Sequence, residues 1–181
     1  MAICNTLCAP DLPESYTGGC GITTRPGGIK QIIFIKCDET WDWTLRSAWI
    51  TAVAANNAVF SGLILGQKPK GSFTKKRVAS CQPESVVGGE KTLTFQDYNT
   101  DSTPGGCAVY DFWNTFQSQS SNYKMGYYSC DGYFYGPIND FTIEIDEVIE
   151  DNNTGSTYLD GSLAWNSITM ICPVVVDLDG L

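Results

Sequence analysis

The side chains best suited to chemistry in this sequence are the carboxylates Asp140, Glu144, Asp146, Glu147, Glu150 and Asp151. Two carboxylates alternating along one strand face stand about 7 Å apart, within the range of a glycosidase acid–base pair. Any solvated strand face offers the same spacing, so the run defines no catalytic pair. Histidine is absent from all 181 residues. Its absence removes Ser-His-Asp and Cys-His catalysis, His-ligated zinc and imidazole proton transfer. Asp151-Asn152-Asn153-Thr154-Gly155 opens like an EF-hand loop, but its glycine comes one position early and Ser162 stands where the bidentate Glu belongs. There is no Walker A loop, and Gly18-Gly19-Cys20-Gly21 lacks the strand before it and the helix after it that a dinucleotide site requires. The eight cysteines, at 4, 8, 20, 37, 81, 107, 130 and 172, include no C-x-x-C pair, so no zinc ribbon is expected. The residues support no enzyme, no metal and no cofactor.

Charge is the stronger signal. Net charge is −9, which disfavours a surface built to grip nucleic acid or anionic lipid. All eleven Lys and Arg lie at or before Lys124, where ten acids nearly cancel them; Met125 to Leu181 holds ten acids and no base. Five bases fall together at Lys68, Lys70, Lys75, Lys76 and Arg77. Solvated surface explains both blocks. The sharper reading is a pair of complementary patches, the basic arm of one copy meeting an acidic face of the next at Glu144, Asp146, Glu147, Glu150 and Asp151.

The elements that must position these charges are mainly strands. Residues 1–28, rich in Pro, Gly and Cys, read as an extended N-terminal arm, and 29–181 as a single β-rich domain with an inserted arm at 66–90. Ile29–Cys37 is apolar on both faces, as a central strand would be. Thr44 is expected to cap a short helix from Leu45 to about Ala55, ended by Asn56-Asn57. Val59–Leu65 reads as a strand interrupted by Gly62. A 25-residue excursion at Gly66–Glu90 is long for a compact domain and reads as a projecting hairpin, with a floppy loop as the other possibility. Thr92–Gln96 alternates as a strand does. After the turn Thr103-Pro104-Gly105-Gly106, Phe112, Trp113 and Phe116 mark a helix from Tyr110 to Ser118 that packs on the sheet. Asp131-Gly132 predicts a two-residue type I′ hairpin turn between Met125–Cys130 and Tyr133–Pro137. Phe141, Ile143 and Ile145 oppose Thr142, Glu144 and Asp146, and the period breaks at Glu147-Val148, suggesting a bulge. Asn152–Gly155 reads as a turn, Thr157–Trp165 as the returning strand and Ser167–Val176 as a last apolar strand. The expected fold is a mainly β, antiparallel sandwich or barrel with one or two short flanking helices and a long projecting hairpin or loop. Trp41, Trp43, Trp49, Trp113 and Trp165 are assigned to the core rather than to a carbohydrate platform.

The first residues carry neither the basic n-region nor the apolar h-region of a secretory signal, and no apolar run nears the ~20 residues of a membrane helix. The expectation is a protein made in the cytoplasm, without a membrane anchor. Its thiols would be mostly reduced and partly buried as small apolar fillers.

This layout resembles the tail-tube proteins of tailed bacteriophages and their relatives in contractile injection systems and type VI secretion. The pieces that carry the resemblance are the Tyr110–Ser118 helix, the Gly66–Glu90 arm and the strands from Leu93 to Val176. The resemblance implies a self-assembling virion structural protein, assembled in the host cytoplasm, whose partners are its own copies and other virion proteins. Copies would form stacked rings around a channel, with DNA a passenger that does not adhere to an acidic lumen. Two alternatives stay open: a capsid decoration or head–tail connector protein, and a secreted, disulfide-bonded carbohydrate-binding module.

Overall fold

The computed structural model describes residues 27–77, 84–100, 107–151 and 155–181. All but the end of the expected N-terminal arm lies outside these residues. So do the Thr103–Gly106 turn, most of the Asn152–Gly155 turn, and Cys4, Cys8, Cys20 and Cys81.

The expected mainly β architecture is found. Strands run at Ile29–Lys36 (β1), Ala58–Phe60 (β2), Leu65–Gln67 (β3), Ser72–Lys76 (β4), Ser85–Asp97 (β5), Tyr123–Ser129 (β6), Tyr133–Ile138 (β7), Phe141–Ile149 (β8), Thr157–Asn166 (β9) and Val174–Val175 (β10). Two helices, Arg46–Ala54 (α1) and Ala108–Gln119 (α2), accompany them. The strands join one antiparallel sheet in the order β10-β7-β6-β1-β3-β5-β9-β8, with β2 branching from β1 and β4 from β5. It curls without closing into a barrel. Phe34 on β1 comes within 5.9 Å, ring to ring, of Phe141 on β8, although β3, β5 and β9 separate those strands in the ladder. The two halves of the sheet therefore face one another, as in a sandwich.

The double-sided apolarity of β1 has a direct cause. Ile32 and Phe34 point into the main core with Leu93, Phe95, Met125, Leu163 and Trp165. Ile33 and Ile35 point the other way, into a second core with Trp49, Tyr128, Phe134, Val176 and Leu178. Helix α2 closes the first core: Phe116 stacks on Phe34 at 3.7 Å and Trp113 on Phe95 at 4.7 Å. Helix α1 closes the second through Trp49 and Ala52. Each large side chain so buried contributes roughly 1.5–3 kcal/mol. Trp49, Trp113 and Trp165 are fully in the core, and Trp41 and Trp43 pack against its edge.

Several local expectations are corrected. Thr44 does not cap α1: Leu45 holds the cap position, while Asp42 accepts hydrogen bonds from the Thr44 backbone and hydroxyl, making an Asx turn just before it. Asn56, with φ of 56°, does end the helix. The β6–β7 loop has three residues, not two, because Tyr128 pairs with Phe134. Only Gly132 there has positive φ, at 82°, and its N–H bonds to the Ser129 carbonyl, the geometry of a type I turn followed by a left-handed glycine. Strand β8 carries no bulge; its register with β9 runs unbroken from Phe141↔Trp165 to Ile149↔Thr157. The hydrophobic period fails at Glu147 because the strand outruns the core, leaving Ile149 on the inner side yet 71% exposed. The Ser167–Val176 run forms only the two-residue β10. Its apolar residues serve different faces, Ile171 the main core and Val176 the second, as the chain crosses the sheet edge. The described cysteines are not core fillers: Cys37, Cys107, Cys130 and Cys172 are all exposed.

Candidate functional site

The inserted arm is a hairpin. Strand β4 pairs with the first half of β5, from Ser72↔Glu90 to Lys76↔Ser85, and every residue of β4 is exposed. A register shift leaves Val87 extra between Thr74↔Gly88 and Lys75↔Val86, and such a bulge sharpens the ribbon's twist. Phe73 covers Gly89, its ring 3.0 Å from where a Cβ would sit. The ribbon still presents Phe73, Val86 and Val87 at 46, 44 and 52% exposure. A two-stranded ribbon is marginal in water by itself, and this one adds apolar surface that the described residues leave uncovered.

The five bases do not act as one patch. Lys75 and Lys76 lie on the ribbon and Arg77 follows at its outer end, all three exposed. Lys68 and Lys70 lie before it and line a cleft of about 800 Å³, together with Lys91, Phe73, Tyr127 and Met170. Gly71 marks the division, since a Cβ there would meet the Glu90 carbonyl oxygen at 2.6 Å.

The acids divide too. Glu144 and Asp146 share the outer face of β8, an open face lined also by Thr94, Asp160 and Ser162. Asp146 stands directly opposite Asp160 on β9. Like charges in that position disfavour the pairing by a few tenths of a kcal/mol or more. Asp160 escaped the sequence reading because only the β8–β9 register reveals it. Glu147 has the opposite parity and accepts a hydrogen bond from Tyr110 of α2. That bond raises the Tyr110 pKa. Glu150 accepts from the Ser156 backbone across the β8–β9 turn, and exposed Asp151 follows it. Among the described residues the ion pairs are Lys30–Asp179 and Arg46–Asp177, which fasten the C-terminal tail to β1 and α1. Neither the ribbon bases nor the outer acids have an ion-pair partner there.

The free edge of β8 is guarded in its middle. Gln117 of α2 accepts a hydrogen bond from the Ile145 backbone N–H at 3.0 Å, a side-chain substitute for a missing neighbouring strand. Among the described residues no cluster of acids and cysteines could hold a metal ion, and no helix is long and apolar enough to cross a membrane.

Comparison with protein-family models, with curated proteins and with solved structures finds no match to this chain.

Proposed function

We propose that this protein is a self-assembling structural subunit, of the kind that stacks in rings to build the tail tube of a tailed phage. The observation that carries this reading is the ribbon. It spends all of β4 and the first half of β5 on a two-stranded projection with apolar side chains and cations outward and no covering layer among the described residues. A second copy supplies that cover, and its outer β8–β9 face supplies carboxylates for Lys75, Lys76 and Arg77. The remaining net-acidic surface suits a channel through which DNA passes without adhering.

Negative-stain microscopy of the purified full chain tests the proposal. Stacked rings or tubes are expected; single rings or trimers would transfer the subunit to a connector or capsid-surface role. A monomer at all concentrations and salt conditions would end the assembly reading.

A further inference from the structure

The cleft beside the ribbon has chemistry that the assembly reading does not use. Lys91 occupies an inner position of β5, in line with Leu93 and Phe95, where an apolar residue would continue the core. It is 6% exposed, and lysine is seldom so buried without a carboxylate. No carboxylate pairs with it among the described residues. Its ammonium donates to the Thr169 carbonyl. Burial first, and then the Lys68 cation, hold the Lys91 pKa below the usual lysine range. Its cross-strand partner is Trp165, whose indole N–H is buried and finds no acceptor among the described residues. Lys91 thus sits beside a buried donor that has no acceptor among the described residues. Lys68 and Lys70 add positive charge at the same cleft, against one carboxylate, Asp131, which accepts a hydrogen bond from the Ser129 hydroxyl, and Tyr127, Phe73 and Met170 give it apolar walls, Met170 being 94% exposed.

We propose that this cleft binds an amphipathic anion, its carboxylate or phosphate seated on Lys91 and Lys68 and its apolar body lying against Tyr127, Phe73 and Met170. The volume suits a small molecule, and a few placed charges within apolar walls are the usual composition of such sites. A charge-assisted hydrogen bond to a buried ammonium is among the stronger contacts available. The inference concerns a single chain and shares only Phe73 with the ribbon surface assigned to assembly.

The probe is 8-anilinonaphthalene-1-sulfonate, an aromatic anion that fluoresces in apolar surroundings, titrated into the full chain. One saturable site with a dissociation constant of about 10–100 µM is expected. Decanoate and decyl phosphate should displace the probe, their order identifying the preferred headgroup, while uncharged decyl glucoside should not. Lys91→Met should weaken binding at least about tenfold, whereas Lys36→Ala, outside the cleft, should not. Should Lys91→Met fail to fold, the exposed pair Lys68→Ala and Lys70→Ala carries the same test. Unsaturable binding, equal displacement by decyl glucoside, or undiminished affinity in a folded Lys91→Met chain or in the Lys68/Lys70 pair variant would overturn the proposal.

Discussion

The ring of Phe95 lies across Gly161, its cross-strand partner, in the space that a side chain at 161 would occupy. Trp113 of α2 then stacks on that same ring, so one glycine in β9 lets a strand and a helix share an aromatic. Gly161→Ala should displace Phe95 and with it Trp113, lowering stability by about 1–3 kcal/mol. Urea unfolding followed by tryptophan fluorescence measures this, and an unchanged midpoint would show that the ring is free to move aside.

Asp97 anchors the same helix by a polar contact. Its carboxylate is 1% exposed and accepts from the Trp113 indole N–H at 2.9 Å and from the Asn99 backbone N–H at 2.9 Å. Asp97→Ala leaves both donors without their acceptor and should cost about 2–4 kcal/mol. Trp113→Phe, which removes one donor, should lose less stability in the Asp97→Ala background than in the wild type. Additive losses in that double-mutant cycle would argue against coupling.

Tyr127 makes stability fall at high pH. Burial, and then Tyr135 stacked on it at 4.8 Å, raise its pKa above the usual phenol value. Above about pH 10 the unfolded chain loses this proton while the native chain keeps it, so the native state binds more protons and stability declines as pH rises. Tyr127→Phe should flatten that decline in denaturation curves taken from pH 9 to 11. Absorbance at 295 nm should correspondingly show one fewer late-titrating phenol.

Reversing Lys75, Lys76 and Arg77 to Glu should abolish polymerisation and leave the subunit folded, with stability changed by less than about 0.5 kcal/mol because all three are exposed. Sedimentation together with circular dichroism reads both. Normal polymers from the triple variant would remove the ribbon cations from the contact.

The fold was legible in the sequence where one element served one environment. The aromatic stripe of α2, the two-faced apolarity of β1 and the excursion at 66–90 each mapped to a structure of the expected type. Legibility failed where residues neighbouring in sequence serve different places. Ile171 and Val176 read as one strand but reach opposite faces of the sheet. Lys68 and Lys75 read as one basic patch, yet the first faces the cleft and the second rides the ribbon. Long-range register hid the rest: Asp160 meets Asp146, and Lys91 meets Trp165, only through the β9 ladder. The β6–β7 loop departs from a two-residue turn for the same reason, since Tyr128↔Phe134 pairing, not the Asp-Gly dipeptide, sets its length.

The pairing of β1 with β6 has a consequence for synthesis. Their registered partners, Ile29↔Ser129 to Lys36↔Tyr123, lie roughly 90–100 residues apart. At about 5–20 residues per second, the ribosome takes on the order of 5–20 s to supply β6 after β1 has been made. For that interval Ile32-Ile33-Phe34-Ile35, a short, uncharged, strongly β-forming stretch, is without its principal neighbour. The nascent chain is thus most in need of chaperone protection between the synthesis of β1 and that of β6, and slowing elongation across residues 37–123 should shift product from the soluble fraction into inclusion bodies.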